Sequence, residues 1–314
     1  MSRQSDPFLS RRDALRSGLL AGAGLMLEGA AALGAEGASG PLMRAIPGTG
    51  EKLPVVGLGT DKFRSSESPA IRAEIQRMQQ LGGSVIDTAA AYGDSEQLIG
   101  EAVAALGIRD RLFIATKLTA GSMLGLFGSG GKDSFERSLE RLKMQRIDLL
   151  QVHNLSGVDS LMPQLAQWKQ AGKIRYIGIT TSSNSQHAAM VEYMRKYPID
   201  FVQVDYSLAN RDAAGNVLPL AQERKIAVLA NIPFGFGSVL HQAQSRPLPP
   251  WVADIDVKSW SQLLLKYVIS HPAVTCTIPG STQVAHLEEN QAAARGRMPD
   301  EGQRRKLEQL WDAS

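Results

Sequence analysis

Cysteine is almost absent from this sequence of 314 residues, in which Cys276 stands alone. One cysteine cannot form an intramolecular disulfide, so cysteine usage gives no information on the redox compartment. An excess of charge of one sign is also lacking. The 34 basic and 31 acidic residues leave a net charge of +3, with no basic block of five or six. The charge balance therefore gives no reason to expect a nucleic-acid or acidic partner.

Metal-ligand spacing is a second absence. His187, His241, His271 and His286 fall in predicted helices or loops without the spacing of a metal site, so we predict no bound metal. Apolar residues are present in quantity, at 43% of the chain. That content is enough for one large core or two modest ones.

The first 40 residues have the pattern of an export signal. Arg11 and Arg12 precede a weakly apolar Gly/Ala/Leu stretch at 17–33, and small residues follow it. This order is typical of a secretion signal, and the paired arginines resemble a twin-arginine signal. The stretch is short and glycine-rich for a membrane span, and Glu28 interrupts it. We expect residues 1–40 to be a signal or disordered tail recognised by the twin-arginine export machinery. The expected destination is the periplasm, and an uncleaved inner-membrane anchor is the alternative.

From residue 41 onward, short β-branched runs alternate with longer amphipathic segments. A small hairpin is predicted near residues 44–53. Eight runs are predicted as strands, at 55–58, 84–87, 112–116, 147–152, 174–179, 201–205, 227–230 and 274–278. Helices are predicted between strands at 70–81, 95–106, 134–142, 161–170 and 186–197.

Eight strands, each followed by a helix-sized segment, predict a (β/α)8 TIM barrel over residues 41–314, with the hairpin at its start. A doubly wound open sheet is the competing fold, and it requires a glycine-rich phosphate loop after the first strand. Gly57 and Gly59 have the required spacing, but Phe63 and Arg64 occupy the positions that follow. We therefore favour the barrel.

Two segments are predicted to form loops over the mouth of the barrel. Residues 121–131 contain five glycines, but Lys132 is followed by Asp133, which does not match a P-loop. Residues 234–258 form an insertion that includes Trp251, a candidate substrate contact. Packing at the barrel edge is the alternative role for this insertion.

Four polar residues lie at or just beyond predicted strand ends: Asp87, Tyr92, Lys117 and His153. In a barrel, the C-terminal ends of the strands meet at one face, and neighbouring strands are ~4.8 Å apart. These side chains are therefore predicted to surround one small space. Each residue alone has an ordinary structural explanation, such as a cap, a rim lysine or a packed histidine. Together, at successive strand ends, they indicate an active site.

The chemistry of this set suggests that it donates a proton to a carbonyl oxygen. A lysine that follows an apolar run requires a partner for its charge, and Asp87 is the natural partner of Lys117. We expect this pair to lower the pKa of Tyr92 from its ordinary value of ~10, making the phenol a general acid. His153 is expected to donate a hydrogen bond to the oxygen that gains charge.

At these residues the sequence resembles the aldo-keto reductases, over about residues 44–294. The segment 87–96 resembles the signature around the family's Asp and Tyr, 138–153 resembles the helix and strand that precede its His, and 278–290 resembles its cofactor segment. The resemblance implies a barrel that reduces aldehydes or ketones with a nicotinamide cofactor bound without a Rossmann domain. It also implies that Tyr92 donates the proton, Asp87 and Lys117 tune it, and His153 positions the carbonyl.

The resemblance further implies where the cofactor binds. Gln203 matches a carboxamide contact, Thr60 matches a position near the nicotinamide ribose, and Thr180 and Thr181 stand where the family has Ser-Asn. Asn231 replaces a stacking aromatic residue in a segment that includes Phe234. In the C-terminal segment, the implied contacts are Ser281, His286, Glu289 and Asn290. NADPH is the expected cofactor, with NADH possible because Gly280 and His286 replace a lysine and an arginine.

Two positions that are often aromatic in the family are polar in this chain: Asp61 after the first strand and Asn154 after His153. They suggest a polar, sugar-like or hydroxylated carbonyl substrate. We expect a monomeric enzyme. The alternatives are a nicotinamide-binding sensor on the same fold and a barrel lyase or isomerase that uses Lys117 as a Schiff base.

Overall fold

The structure is a computed structural model that describes residues 40–119 and 132–313. The predicted export signal and the predicted glycine-rich mouth loop at 121–131 lie outside the described residues. The chain begins with a hairpin in which β1 (Met43–Ala45) pairs antiparallel with β2 (Lys52–Pro54). This is the hairpin that the sequence predicts.

Eight parallel strands follow the hairpin and form one sheet in chain order. They are β3 (Leu58–Gly59), β4 (Val85–Asp87), β5 (Phe113–Leu118), β6 (Ile147–Val152), β7 (Ile174–Thr180), β8 (Phe201–Asp205), β9 (Ala227–Asn231) and β10 (Cys276–Thr277). Parallel bridges from Val56 to Thr277 and from Gly59 to Gly280 join the first strand to the last. The predicted (β/α)8 architecture is therefore confirmed.

Helices cover the outside of the sheet. Among the described residues they are α1 (Ser68–Gln80), α2 (Ser95–Leu106), α3 (Lys132–Leu142), α4 (Val158–Gln170), α5 (His187–Lys196), α6 (Val217–Glu223), α7 (Ser238–Gln244), α8 (Trp260–Ile269), α9 (Val284–Ala292) and α10 (Glu301–Asp312). The predicted strands and helices differ from these mainly at their ends. No helix among the described residues has the length and apolar character needed to cross a membrane.

The core has two layers because successive strand residues point to opposite faces of the sheet. An outer layer of apolar side chains lies between strands and helices. An inner cluster fills the barrel and includes Phe113, Leu149, Tyr176 and Phe201. The residues two positions further along these strands continue the inner face, so they reach the C-terminal end of the barrel. By this rule Lys117 lies beyond Phe113 and Ala115.

Candidate active site

The C-terminal ends of β4 and β5 bring Asp87 and Lys117 together. Nζ of Lys117 donates a hydrogen bond to Oδ2 of Asp87 at 2.5 Å and another to the carbonyl oxygen of Thr88 at 2.8 Å. Both side chains are buried. Burial alone would lower the pKa of Lys117, but Asp87 and Tyr92 hold it above its ordinary value. A charged lysine cannot attack a carbonyl, so this geometry disfavours the Schiff-base alternative.

Tyr92 lies in the loop between β4 and α2, with its hydroxyl 3.4 Å from Nζ of Lys117. The ammonium group also lies 4.8 Å from the centre of the tyrosine ring. Burial raises the pKa of Tyr92 above its ordinary value, and this effect exceeds the opposing effect of Lys117. The expected lowering was therefore wrong, because Asp87 offsets part of the effect of Lys117 while the loss of hydration remains. Tyr92 is protonated, as a proton donor must be.

His153 follows β6 and packs edge-on against Tyr92, with ring centroids 5.7 Å apart. Burial, assisted by the charge of Lys117, lowers the pKa of His153 to about 4. The ring is therefore neutral at physiological pH and retains one N–H donor. The four predicted residues thus lie together, and a carbonyl oxygen near the Tyr92 hydroxyl would meet neutral donors.

The proposed nicotinamide contacts lie on or just after β7, β8 and β9, in two sets of hydrogen bonds. Thr180 donates to Oε1 of Gln203 at 2.9 Å, and Nε2 of Gln203 donates to Oδ1 of Asp87 at 2.8 Å. Nδ2 of Asn231 donates to the carbonyl oxygen of Thr181 at 3.1 Å. Oδ1 of Asn231 is buried without a partner among the described residues. An unpaired acceptor at this place fits an amide donor such as the nicotinamide carboxamide, so these residues fit the cofactor.

The remaining predicted cofactor residues have different degrees of exposure. Thr60 is buried, and its hydroxyl donates to the carbonyl oxygen of Asp87 at 2.9 Å. Ser281 and Asn290 are buried, Glu289 is half-buried, and His286 is exposed. Phe234 packs against the outer core layer.

The predicted substrate residues have different surroundings. Asp61 follows β3 and is close enough to Tyr92 to contribute to its raised pKa. Asn154 is exposed and has a left-handed backbone, with φ at 53°. Trp251 packs against the outer core layer, which agrees with the alternative of edge packing. The insertion around it contains α7 and a short 3-10 helix at Pro250–Ile255.

Sequence reasoning missed two residues near these groups. Gln151 on β6 is buried, and its Nε2 donates to Oδ1 of Asp87 at 3.3 Å. Its position two residues before His153 on the inward face was a usable signal. Glu74 on α1 is buried, and no pattern in the sequence distinguishes it from a solvated helix residue.

A parallel barrel with a buried Lys-Asp pair and a protonated tyrosine at its C-terminal face fits a class of protein, the barrel oxidoreductases that reduce carbonyl groups. A sequence model described as the Aldo/keto reductase family matches residues 55–311. The chain belongs to this family, as the sequence motifs predict. It is an oxidoreductase that uses a nicotinamide cofactor, and the sensor alternative is not favoured.

Individual relatives agree with this assignment. The chain is 34% identical to Aldo-keto reductase YhdN of Bacillus subtilis (strain 168) over 181 residues, and this match spans 54% of the chain and 52% of that protein. It is 31% identical to Methylglyoxal reductase YeaE of Escherichia coli (strain K12) over 258 residues, which are 76% of this chain and 85% of that protein. An aldo/keto reductase from Klebsiella pneumoniae, solved with NADP and acetate, shares the fold with a TM-score of 0.71. It is 24% identical and covers 86% of this chain and 95% of its own.

Proposed function

We propose that this chain reduces a small polar aldehyde or ketone to an alcohol, with NADPH as the preferred reductant and Tyr92 as the proton donor. The observation that carries the proposal is the line of contacts from Asp87 through Lys117 to the hydroxyl of Tyr92, at 2.5 and 3.4 Å. Lys117 is held charged, so it favours negative charge on the phenol as the proton leaves. Neutral His153 donates to the same substrate oxygen and orients it.

The cofactor, when bound, supplies the hydride that reduces the carbonyl carbon. Thr180, Thr181, Gln203 and Asn231 would hold its nicotinamide end, and Thr60 would lie near the attached ribose. Ser281, Glu289 and Asn290 would hold the adenosine end. NADPH is favoured because this C-terminal segment retains the residue types of the family at these three positions. His286 is exposed and able to approach a phosphate, although it lacks the bidentate geometry of arginine.

The polarity of the substrate is inferred from Asp61. Its carboxylate acts on Tyr92, and Oδ1 would lie 3.3 Å from a Cβ placed on Gly280, so it stands at the edge of the site between β3 and the segment after β10. A carboxylate there accepts hydrogen bonds from hydroxyl groups and repels anions. Methylglyoxal reductase among the relatives supports a small polar carbonyl. We further propose that the enzyme acts as a monomer.

The test is a panel of carbonyl compounds, in which loss of NADPH or NADH absorbance is followed with wild type and Tyr92→Phe. Hydroxylated and dicarbonyl compounds should react faster than apolar aromatic aldehydes. Tyr92→Phe should lower kcat by about 10²–10⁴-fold with little change in cofactor affinity, because general-acid catalysis contributes about that factor. Equal rates in the two enzymes would reject Tyr92 as proton donor. Turnover of only the aromatic aldehydes would reject the polar substrate.

We also propose that the enzyme is exported by the twin-arginine machinery to the periplasm. Support comes from Arg11 and Arg12 before the weakly apolar stretch at 17–33. That route suits a protein that folds with its cofactor before export. Fractionation of cells that express the full chain should place activity in the periplasm, and Arg11→Lys with Arg12→Lys should retain it inside. Unchanged distribution in the double variant would reject the proposal, and recovery in the membrane fraction would favour the anchor.

A further inference from the structure

Two side-chain amides meet on one oxygen of Asp87. Nε2 of Gln203 donates to Oδ1 at 2.8 Å, and Nε2 of Gln151 donates to the same atom at 3.3 Å. The other oxygen, Oδ2, accepts from Lys117 at 2.5 Å. The hydrogen bonds thus divide the carboxylate, with amides on one oxygen and the ammonium group on the other.

The two glutamines are not equivalent. Gln203 uses both ends of its amide, since Oε1 also accepts from Thr180 at 2.9 Å. Gln151 is 1% exposed, and its Oε1 has no partner among the described residues. A buried amide with an unpaired oxygen is costly. The hydrogen bond from Nε2 to Asp87 therefore accounts for the orientation of the Gln151 amide.

The neighbouring strand leaves room for the Gln151 side chain. Gln151 on β6 pairs with Gly178 on β7, and a Cβ placed on Gly178 would lie 2.9 Å from Cγ of Gln151. Any larger residue at Gly178 would therefore displace the glutamine. On the same inward face, Leu149 fills the barrel two residues earlier along β6.

We propose that Gln151 is a positioning residue for carbonyl reduction, which holds the Asp87 carboxylate so that its second oxygen pairs with Lys117 beside Tyr92. This inference rests on the reductase function. Because the Asp87 carboxyl is fully buried, each donor on Oδ1 helps to keep it ionised. Burial raises the pKa of Asp87, and Lys117, Gln203 and Gln151 all oppose that rise.

Several titratable groups surround Asp87, and they come from different elements of the fold. Lys117 on β5 and Tyr92 in the loop after β4 form the contacts described above, and Cys276 on β10 is close enough for the charge of Asp87 to act on it. Further out, Asp61 acts on Tyr92, and His153 responds to the charge of Lys117. The amide of Gln151 is uncharged, so its removal changes the Asp87 environment without adding a titrating group.

The test is the pH profile of kcat for the full chain with NADPH and the best carbonyl of the panel. Gln151→Met keeps the size of the side chain and removes the hydrogen-bond donor to Asp87. The acidic limb of the profile, which reports the ionisation of Asp87, should therefore move up by about one pH unit. Cofactor affinity should change less than twofold. Gln151→Glu places an acid beside Asp87 and should move the limb further. Leu149→Met is the matched control, since it repacks the same inward face without losing a donor, and its limb should stay in place.

A second measurement needs no turnover. The carbon-13 resonance of the Asp87 carboxyl, assigned with Asp87→Asn, should titrate at higher pH in Gln151→Met than in wild type. Unchanged titration would overturn the proposal, as would an equal shift in Leu149→Met. The titration also separates the substrate proposal from the Gln151 proposal. If no carbonyl is reduced, the proposed substrate is rejected, while the titration still decides the role of Gln151.

Discussion

At the scale of single residues, burial is the largest single influence on the pKa values at the site. Tyr92, Asp87 and His153 all have pKa values shifted toward the neutral form, and loss of hydration is the largest cause in each case. Lys117 is the exception, because its contacts with Asp87 and Tyr92 outweigh its burial. The Lys117 ammonium group, paired with Asp87 beside the neutral Tyr92 and His153, suits a reaction in which the substrate oxygen gains negative charge.

Glu74, which lies outside the group of four active-site residues, shows the same effect of burial on a pKa. It lies on α1, is 0% exposed, and its carboxylate oxygens have no hydrogen-bond partner among the described residues. Burial raises its pKa from 4.5 to about 7, and the nearby charge of Glu67 adds to the rise. The folded state therefore binds a proton that the unfolded state has lost between these pH values. The contribution of Glu74 to stability falls as the pH rises through this window and stays low above it.

We predict that Glu74→Gln stabilises the protein at high pH only. The amide has the shape of the protonated acid and cannot ionise, so the free energy of unfolding should rise by about 2 kcal/mol at pH 8 and change little at pH 5. Urea unfolding at the two pH values measures this. An equal change at both would show that the effect comes from packing rather than from ionisation.

At the scale of elements, helix α2 approaches the end of α3 through a glycine. A Cβ on Gly100 would overlap the carbonyl oxygen of Arg141 and would lie 2.7 Å from the carbonyl carbon of Leu142. These are backbone atoms, so they cannot move aside as a flexible side chain would. The close approach matters for the site because α2 follows the loop that holds Tyr92.

We predict that Gly100→Ala destabilises the protein by about 3 kcal/mol, since the two helices must separate. Gly107→Ala is the matched control at the end of the same helix. Its φ is 64° and no atom lies within 4 Å of the added Cβ, so only the left-handed backbone is penalised, by about 1 kcal/mol. Both values come from urea unfolding. A larger loss in Gly107→Ala would contradict the close-packing argument.

At the scale of the whole molecule, the two ends of the barrel have separate roles. The hairpin closes the N-terminal end, where Ile46 and Leu53 are buried at 1% and 2% exposure in the inner cluster. Arg44 donates to the carbonyl oxygen of His271 at 3.1 Å and also to that of Val274, which ties the hairpin to the segment before β10. The polar site lies at the opposite end.

We predict that Ile46→Ala lowers the free energy of unfolding by about 3 kcal/mol because it leaves a cavity in the closed end. The value of kcat should stay within about twofold of wild type, since the strands hold the site at the other end. Met43→Ala, at an exposed position of the same hairpin, should change stability by less than about 0.5 kcal/mol. A parallel loss of kcat and stability in Ile46→Ala would show that the two ends are coupled.

The sequence by itself determined the eight strands, five of the helices and the four residues at the strand ends. These follow from local patterns, because side-chain alternation along a strand and the parallel arrangement of neighbours decide which residues reach the C-terminal face. Asp87 and Lys117 were predictable in this way, and so was their pairing.

Only the tertiary structure decided the sign of the Tyr92 pKa shift and the burial of Glu74. Each depends on how completely distant segments exclude water from one side chain. The spacing of residues along the chain does not predict that degree of exclusion. The sequence predicted a lowered Tyr92 pKa from one neighbouring ion pair, whereas the folded barrel adds the larger effect of burial. Local pattern thus gives the position of the chemistry, and long-range packing determines the protonation states in which it operates.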